Sequence, residues 1–241
     1  MGNPLSETPA VIMAAGLGTR LRPYTFFLPK PMLPVGDRPL LEHIITWAKS
    51  YGIHRFIITV SYLRKAIEDY FESGEELGVE IQYVRSTKPL GIAGQLRTVK
   101  PYIDGTFLCL YGDAIVELDL QDLYRFHREK GSLVTLAVKP YTIQLKYGFI
   151  ELGADGRLKK WEEKPEVKGL INVGCYVMEP RFLDYIPENS MFPFQEVFRR
   201  AAQAGEPIYG YITEGEFLDI GDRRQYLMAN ERFLKRLGVI L

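Results

Sequence analysis

The chain has 241 residues, 46% of them hydrophobic and 25% charged, enough for one large single-core domain. Its 30 Lys and Arg balance 30 Asp and Glu, so no global field draws it to nucleic acid or an anionic membrane, and any polyanion site must be local. No apolar run approaches the roughly 18 residues that would span a bilayer, and the polar start MGNPLSETP lacks a signal-peptide core. Cys109 and Cys175 lie in apolar stretches without metal-ligand spacing and read as reduced core residues. A soluble cytoplasmic protein is therefore expected.

In chain order, residues 1–9 read as a flexible N-terminus and Val11–Ala15 as a buried strand. Leu41, Ile44, Ile45 and Ala48 fall at helical spacing, with Gly52 closing that helix. A strand over 55–60 precedes a helix whose inward face is Leu63, Ile67, Tyr70 and Phe71. A strand over 80–84, a helix near 92–100 and a strand over 106–111 follow, then a helix capped by Asp119 with Leu120, Leu123 and Tyr124 inward. This alternation predicts a doubly wound α/β fold on a mainly parallel sheet.

After Ser132 the pattern changes: SLVTLAV, YGFIEL, RLKKWEE and LINVGCYVM are four strand-like runs with few helical residues between them, predicting a small antiparallel addition. DGR at 155–157 is the tight turn between two of them. PIYGYI, FLDIG and a helix opened by Asp222, with Tyr226, Ala229, Phe233 and Leu237 on one face, complete the chain. The expected organisation is one domain over 1–241, with 10–131 as a nucleotide-binding half and 132–241 as a sugar-binding half. No repeat or hexapeptide β-helix pattern is present.

The segment VIMAAGLGTRLRPYTFFLPKPMLP (11–34) joins a glycine turn to Arg20, Arg22 and Lys30. A loop leaving the first strand of an open α/β sheet is where such folds bind ligands, and glycines let backbone N–H groups approach phosphate oxygens. The segment gives GxGxxL where a dinucleotide fingerprint needs GxGxxG, and it lacks the GK[ST] of a P-loop. A structural glycine turn would leave the gathered cations unexplained; several cations at such a turn suit a triphosphate. FLCLYGD is an apolar strand that should project Asp113 from the sheet edge into the same crevice, and FLDIG sets Asp219 in an apolar run. An unpaired carboxylate there would cost several kcal/mol. Its partner is Mg²⁺, an arginine or a helix cap.

AAGLGTRLRP followed by LPKPMLPV resembles the signature of the sugar-1-phosphate nucleotidylyltransferases, in a short form without a C-terminal β-helix. PLGIAGQL (89–96), YGD (111–113), EEKP (162–165), INVGCY (171–176) and FLDIGD (217–222) occur in that family's order. The resemblance implies a Rossmann-like nucleotidyltransferase fold that joins a nucleoside triphosphate to a hexose 1-phosphate with release of pyrophosphate. By motif position, Arg20 would hold the triphosphate and Lys30 the α-phosphate, with Asp113 and Asp219 as ligands of Mg²⁺. Ala14, Ala15, Gly16, Gly18, Thr19, Ser86, Gly91 and Gln95 would contact the nucleotide. Gly148, Glu163, Lys164 and Asn172 would contact the sugar phosphate, although a Glu-Lys pair at a strand end also reads as a solvated ion pair. Arg22 suits a surface role equally well. His43, His54 and His127 have no ligand spacing and read as surface or helix residues.

Ser86 stands about where the family offers the base a carboxylate or amide, and a carboxylate would accept from guanine N1 and N2. Its absence favours uracil or thymine, with glucose as the sugar; GTP with mannose 1-phosphate is the alternative. Gln95 reads either as a base-edge contact or as a helix-surface residue. A catalytically silent regulatory subunit should have lost a catalytic cation or metal ligand, and Arg20, Lys30, Asp113, Lys164 and Asp219 are all present. A cytidylyltransferase acting on a non-sugar phosphate is disfavoured by EEKP and INVGCY. Any homo-oligomer should form through the catalytic domain.

Overall fold

Alternation along the first strand shows how the sheet is covered: Val11 points into one apolar layer and Ala10 and Ile12 into another. In the computed structural model, which describes residues 3–239, the strands are β1 (Ala10–Met13), β2 (Pro34–Val35), β3 (Arg38–Pro39), β4 (Arg55–Val60), β5 (Glu80–Arg85), β6 (Phe107–Tyr111), β7 (Ala114–Val116), β8 (Val134–Gln144), β9 (Phe149–Leu152), β10 (Leu158–Glu162), β11 (Glu166–Met178), β12 (Ile208–Ile212) and β13 (Phe217–Asp219). The helices are α1 (Leu40–Ser50), α2 (Arg64–Phe71), α3 (Gly91–Thr98), α4 (Leu120–Lys130), α5 (Phe194–Gln203) and α6 (Arg223–Arg236). Seven strands form the main sheet in the order β12-β8-β11-β6-β1-β4-β5. β6, β1, β4 and β5 are parallel neighbours, β12 is parallel to β8, and β11 runs antiparallel to both β6 and β8.

One apolar layer packs Leu41 and Ile45 of α1, Ile67 of α2, Leu123 of α4 and Tyr226 of α6 against Ile12, Phe56 and Leu108. The opposite layer packs Ala93 and Leu96 of α3 and Val197 and Ala201 of α5 against Val11, Ile57 and Tyr176. Helices on both faces of a mainly parallel sheet make the fold doubly wound, as the sequence predicts. The antiparallel addition is also found, with the hairpin β9–β10 turning at Gly156 (φ +80°). Helix α5 is not among the elements expected from sequence, although Phe194, Val197, Phe198 and Ala201 carry a helical period.

Three local expectations are corrected. Residues 3–9 are packed rather than loose: Leu5 is fully buried, and Asn3 accepts from the Leu5 N–H while donating to the Tyr51 carbonyl at 2.6 Å. Residues 1–2 lie outside the described range. Tyr70 is half exposed and donates to Glu42 at 2.8 Å, so the inward face of α2 is Ile67 and Phe71. Leu237 is the C-cap of α6 and lies on the surface, beyond the last turn that can bury it.

His127 sits within α4 but is buried, its imidazole 2.9 Å from the Thr135 hydroxyl and 3.2 Å from Glu179. Burial lowers its pKa, more than the Glu179 carboxylate raises it. The folded chain therefore holds His127 neutral to a pH at which the unfolded chain is already protonated. Its stabilising contribution is full above the unfolded pKa of about 6.5 and is lost as pH falls from there through the folded value. His127→Gln should show a smaller drop in melting temperature between pH 7 and pH 5 than the parent chain, with His43, also lowered by burial, carrying part of the remainder. An unchanged slope in calorimetry would remove His127 from the acid response.

Candidate active site

The loop after β1 is held to the sheet edge by its own backbone. The Ala14 N–H donates to the Thr59 carbonyl at 3.2 Å, and the Ala15 carbonyl accepts from the Ser61 hydroxyl at 3.0 Å and from the Gln95 amide at 3.4 Å. Gly18 has φ +61°, and a Cβ there would lie 2.9 Å from Thr25 Cγ2, so both conformation and space call for glycine. The buried Thr25 hydroxyl closes the turn by donating to the Gly18 carbonyl at 2.9 Å. The turn is thereby packed over the segment that carries Lys30.

Lys30 is the pivot. Its side chain is 8% exposed, and Nζ lies 2.8 Å from Asp113 Oδ2 and 3.8 Å from Asp219 Oδ1. Asp113 is delivered by the turn between β6 and β7, and Asp219 by the end of β13, which pairs antiparallel with β7 with Asp219 opposite Ala114. Two carboxylates remote in sequence thus face one buried ammonium. Burial pushes the Asp219 carboxyl above the usual aspartate range; Lys30 pulls it back, and the Asp113 charge pushes it further up. A Cβ on Gly221 would sit 2.6 Å from Asp219 Oδ2, so that glycine lets the carboxylate fold back over the chain.

One buried ammonium is shared by two carboxylates, with the Arg20 charge also acting on Asp219, and both acids offer hard oxygen donors. Among the described residues no group of three His, Cys, Asp or Glu side chains could hold a metal. The pair therefore fits a cation that takes one or two carboxylates and completes its shell with water and phosphate oxygens. It does not fit one that requires a full protein cage.

These side chains lie along a cleft of about 430 Å³ lined by Ala14, Gly16, Gly18, Thr19, Arg20, Lys30, Gly91, Gln95 and Asp113, together with Leu17, Ile92, Tyr111 and Gly221. Arg20 is exposed and makes no ion pair among the described residues. Arg22 is outside the lining and stacks on Phe26 at 5.0 Å, which gives it the surface role. Ser86 is also outside: its hydroxyl donates to the Lys88 carbonyl at 2.8 Å. Gln95 is buried, and its amide is committed to Ala15, so it supports the loop from within the cleft wall.

The sugar-end residues fall into two groups. Gly148 and Glu163 meet directly: a Cβ on Gly148 would lie 2.9 Å from Glu163 Oε2, which accepts from the Trp161 indole at 3.4 Å. Glu163 and Lys164 form no ion pair; Glu162 instead pairs with Lys160 at 2.7 Å. Lys164 has φ +47°, a conformation costing a non-glycine residue about 1–3 kcal/mol. Asn172 belongs to a second group. Its Oδ1 accepts from the Gly174 N–H at 3.0 Å, and its amide donates to Tyr176, whose hydroxyl donates to Tyr111 at 3.1 Å on the cleft wall. Tyr111 and Tyr176 are absent from the site expected from sequence, although Tyr111 opens the YGD motif and Tyr176 closes INVGCY.

A glycine turn with two cations stands at the edge of a doubly wound α/β sheet, opposed by paired carboxylates, an arrangement suited to a polyphosphate. The nucleotidyl transferase family model matches residues 9–236. The chain is 35% identical over 246 residues to a UTP–glucose-1-phosphate uridylyltransferase of Synechocystis, and 33% identical over 237 residues to a mannose-1-phosphate guanylyltransferase of Mycobacterium tuberculosis. These matches cover 94% and 96% of this chain but only 63% and 66% of those proteins. Among solved structures it superposes on HddC from Yersinia pseudotuberculosis with a TM-score of 0.74 and 25% identity, over 94% of this chain and 99% of that one. A Bacillus anthracis structure with 20% identity shares the fold at a TM-score of 0.76, over 94% and 95% of the two chains. The chain belongs to the nucleotidyl transferase family.

Because Lys30 is the resident counter-ion of both acids, Lys30→Met should destabilise the metal-free protein by roughly 1–2 kcal/mol, less than the ~3–5 of a fully buried broken pair because both carboxylates are partly exposed. Added Mg²⁺ should raise its melting temperature more than that of the parent chain. Equal Mg²⁺ shifts in thermal denaturation would show that Lys30 and the cation do not answer the same charge.

Proposed function

We propose that the protein is a sugar-1-phosphate nucleotidylyltransferase, joining a nucleoside triphosphate to a hexose 1-phosphate and releasing pyrophosphate. The observation that carries this reading is the convergence of Asp113 and Asp219 on Lys30, with Lys30 and Asp113 lining the same cleft as the Gly16–Arg20 turn. Two anionic reactants repel each other, so the protein's task is to position and neutralise them, with little covalent work of its own. The turn offers backbone N–H groups to phosphate oxygens, and Arg20 offers a fork of donors that stays charged throughout. Lys30, already in the wall, would face the phosphate under attack. Asp113 and Asp219 would hold Mg²⁺, which when bound supplies Lewis-acid polarisation of phosphate oxygens. Glu163 would accept from sugar hydroxyls, and Lys164 would neutralise the sugar phosphate.

The base reading rests on what the cleft lacks. No carboxylate stands at Ser86, whose hydroxyl donates to Lys88, and Gln95 spends an amide N–H on the Ala15 carbonyl. UTP or dTTP with glucose 1-phosphate is therefore the first reading, in keeping with the uridylyltransferase name of one relative. GTP with mannose 1-phosphate is the second, favoured by relatives named as guanylyltransferases. All the cationic and acidic groups of the cleft are in place, which favours an enzyme over a silent regulatory subunit. No helix among the described residues is long and apolar enough to cross a membrane. The two cysteines are free and buried, which fits a reducing cytoplasmic setting.

Pyrophosphate release measured across five nucleoside triphosphates and four hexose 1-phosphates should be Mg²⁺-dependent and highest with UTP or dTTP. Asp113→Asn should lower turnover by about 10²–10³-fold or more with an unchanged circular dichroism spectrum. Near-full turnover in that variant would end the assignment of Asp113, and no activity with any pair would end the enzymatic reading.

A further inference from the structure

Lys139 is the first residue of β8 beyond the end of β12. The last pair between those strands is Ile212 with Val138, and the Thr213 N–H then donates to the Val138 carbonyl at 2.9 Å. Past this point β8 and β11 run on as an exposed arm, a two-stranded ribbon followed by the ribbon of the hairpin β9–β10. Lys139 is half-buried and follows Ala137 by two residues, so its side chain lies on the sheet face that carries α6. There its ammonium donates to the carbonyls of Glu214 at 2.9 Å and Gly215 at 2.7 Å. The acids beside it are taken by other cations: Glu216 pairs with Arg232 and Arg236 of α6, and Glu117 with Arg236 at 3.1 Å.

Those two carbonyls belong to the segment that delivers Asp219. The Gly215 N–H donates to Thr213 Oγ1 at 3.1 Å, and the Glu117 N–H to the Glu216 carbonyl at 2.8 Å. The pairing of β13 with β7 follows and ends with Asp219 opposite Ala114. Gly215 is pressed onto the residue after β7, where a Cβ would fall 1.5 Å from the Glu117 carbonyl oxygen. A two-stranded ladder this short cannot hold itself in water, so the place of Asp219 depends on what anchors the loop before it. Hydrogen bonds from an ammonium are about twice as strong as those from a neutral donor, which makes Lys139 the firmest anchor of the Glu214 and Gly215 carbonyls.

The two acids are held in different ways. Asp113 accepts directly from Lys30 at 2.8 Å, whereas Lys30 is 3.8 Å from Asp219, beyond hydrogen-bond reach. Building on the reading that both aspartates hold Mg²⁺, we infer that Lys139 is a positioning residue for that cation. By fixing the Glu214 and Gly215 carbonyls it sets Asp219 against Asp113, and so sets the affinity of the pair for Mg²⁺. Lys139 is also opposite Ile171 in the β8–β11 register, next to Asn172. It therefore ties the strand pair that carries Asn172 to the strand that carries the second carboxylate.

The test is a Mg²⁺ titration of the 241-residue chain without substrates, read by thermal denaturation. The Mg²⁺ concentration at the half-maximal rise in melting temperature should be about tenfold higher in Lys139→Met than in the parent, the usual cost of losing a group that orients a metal ligand. Lys139→Arg, which can still donate to both carbonyls, should titrate close to the parent. Lys139→Gln, with one amide to offer, should fall between the two, and it carries the test if the methionine variant does not fold. Turnover lost by Lys139→Met at limiting Mg²⁺ should return at saturating Mg²⁺. A lysine that only stabilised the fold would lower the melting temperature without moving the Mg²⁺ midpoint, and an unmoved midpoint in Lys139→Met and Lys139→Gln overturns the proposal. Asp219→Asn separates this failure from that of the metal reading. A parent chain that does not respond to Mg²⁺, or an Asp219→Asn variant that responds as the parent does, overturns the metal reading and the proposal with it.

Discussion

The structure of the site depends on one buried charge. Lys30 reaches Asp113 and Asp219 from a loop that has no regular secondary structure longer than a single turn, and only by doing so can its ammonium be taken out of water. Everything that carries Lys30 must then be held at the sheet edge. The Gly18 turn packs on Thr25, the Ala15 carbonyl is pinned by Ser61 and Gln95, and Ala14 continues the β1 ladder. The same constraint explains the three-residue pairing of β7 and β13, a small antiparallel pair whose Ile115 and Val116 join the core and which puts Asp219 beside Asp113.

The two ends of the molecule are built on different physical terms. The end that carries the glycine turn stands on a sheet covered on both faces, where packing fixes side chains closely. The end that carries Gly148 and Glu163 stands on ribbons with one apolar face in water, and its Lys164 sits in a strained backbone conformation where two ribbons meet. Rigid support at one end and an exposed arm at the other suit the two-substrate reaction proposed for the protein. The chain Asn172–Tyr176–Tyr111 is the connection between them, running from the slipped register of β11 to the cleft wall.

Most of the architecture was legible in the sequence because burial on both faces leaves continuous apolar runs such as RFIITV and FLCLY, and helices show a periodic inward stripe. The errors fall where that stripe has an edge. Tyr70 is on the margin of α2, where its hydroxyl can reach Glu42, and Leu237 lies past the last turn of α6, so periodicity alone points both inward. The packed N-terminal turn was missed because Asn3 and Leu5 find partners far away in sequence, at Tyr51 and in the main core.

By itself the sequence determined the fold class, the order of the elements and the residue types that polyphosphate chemistry requires, since these follow from local periodicity and from charges set at turns. Only the tertiary structure decided that Lys30 serves two acids at once, that Gln95 supports the loop, that Ser86 turns away, and that Tyr111 and Tyr176 join the two halves. Each of those is a contact between segments remote along the chain. Strand pairing and burial choose such contacts, and no local pattern encodes them.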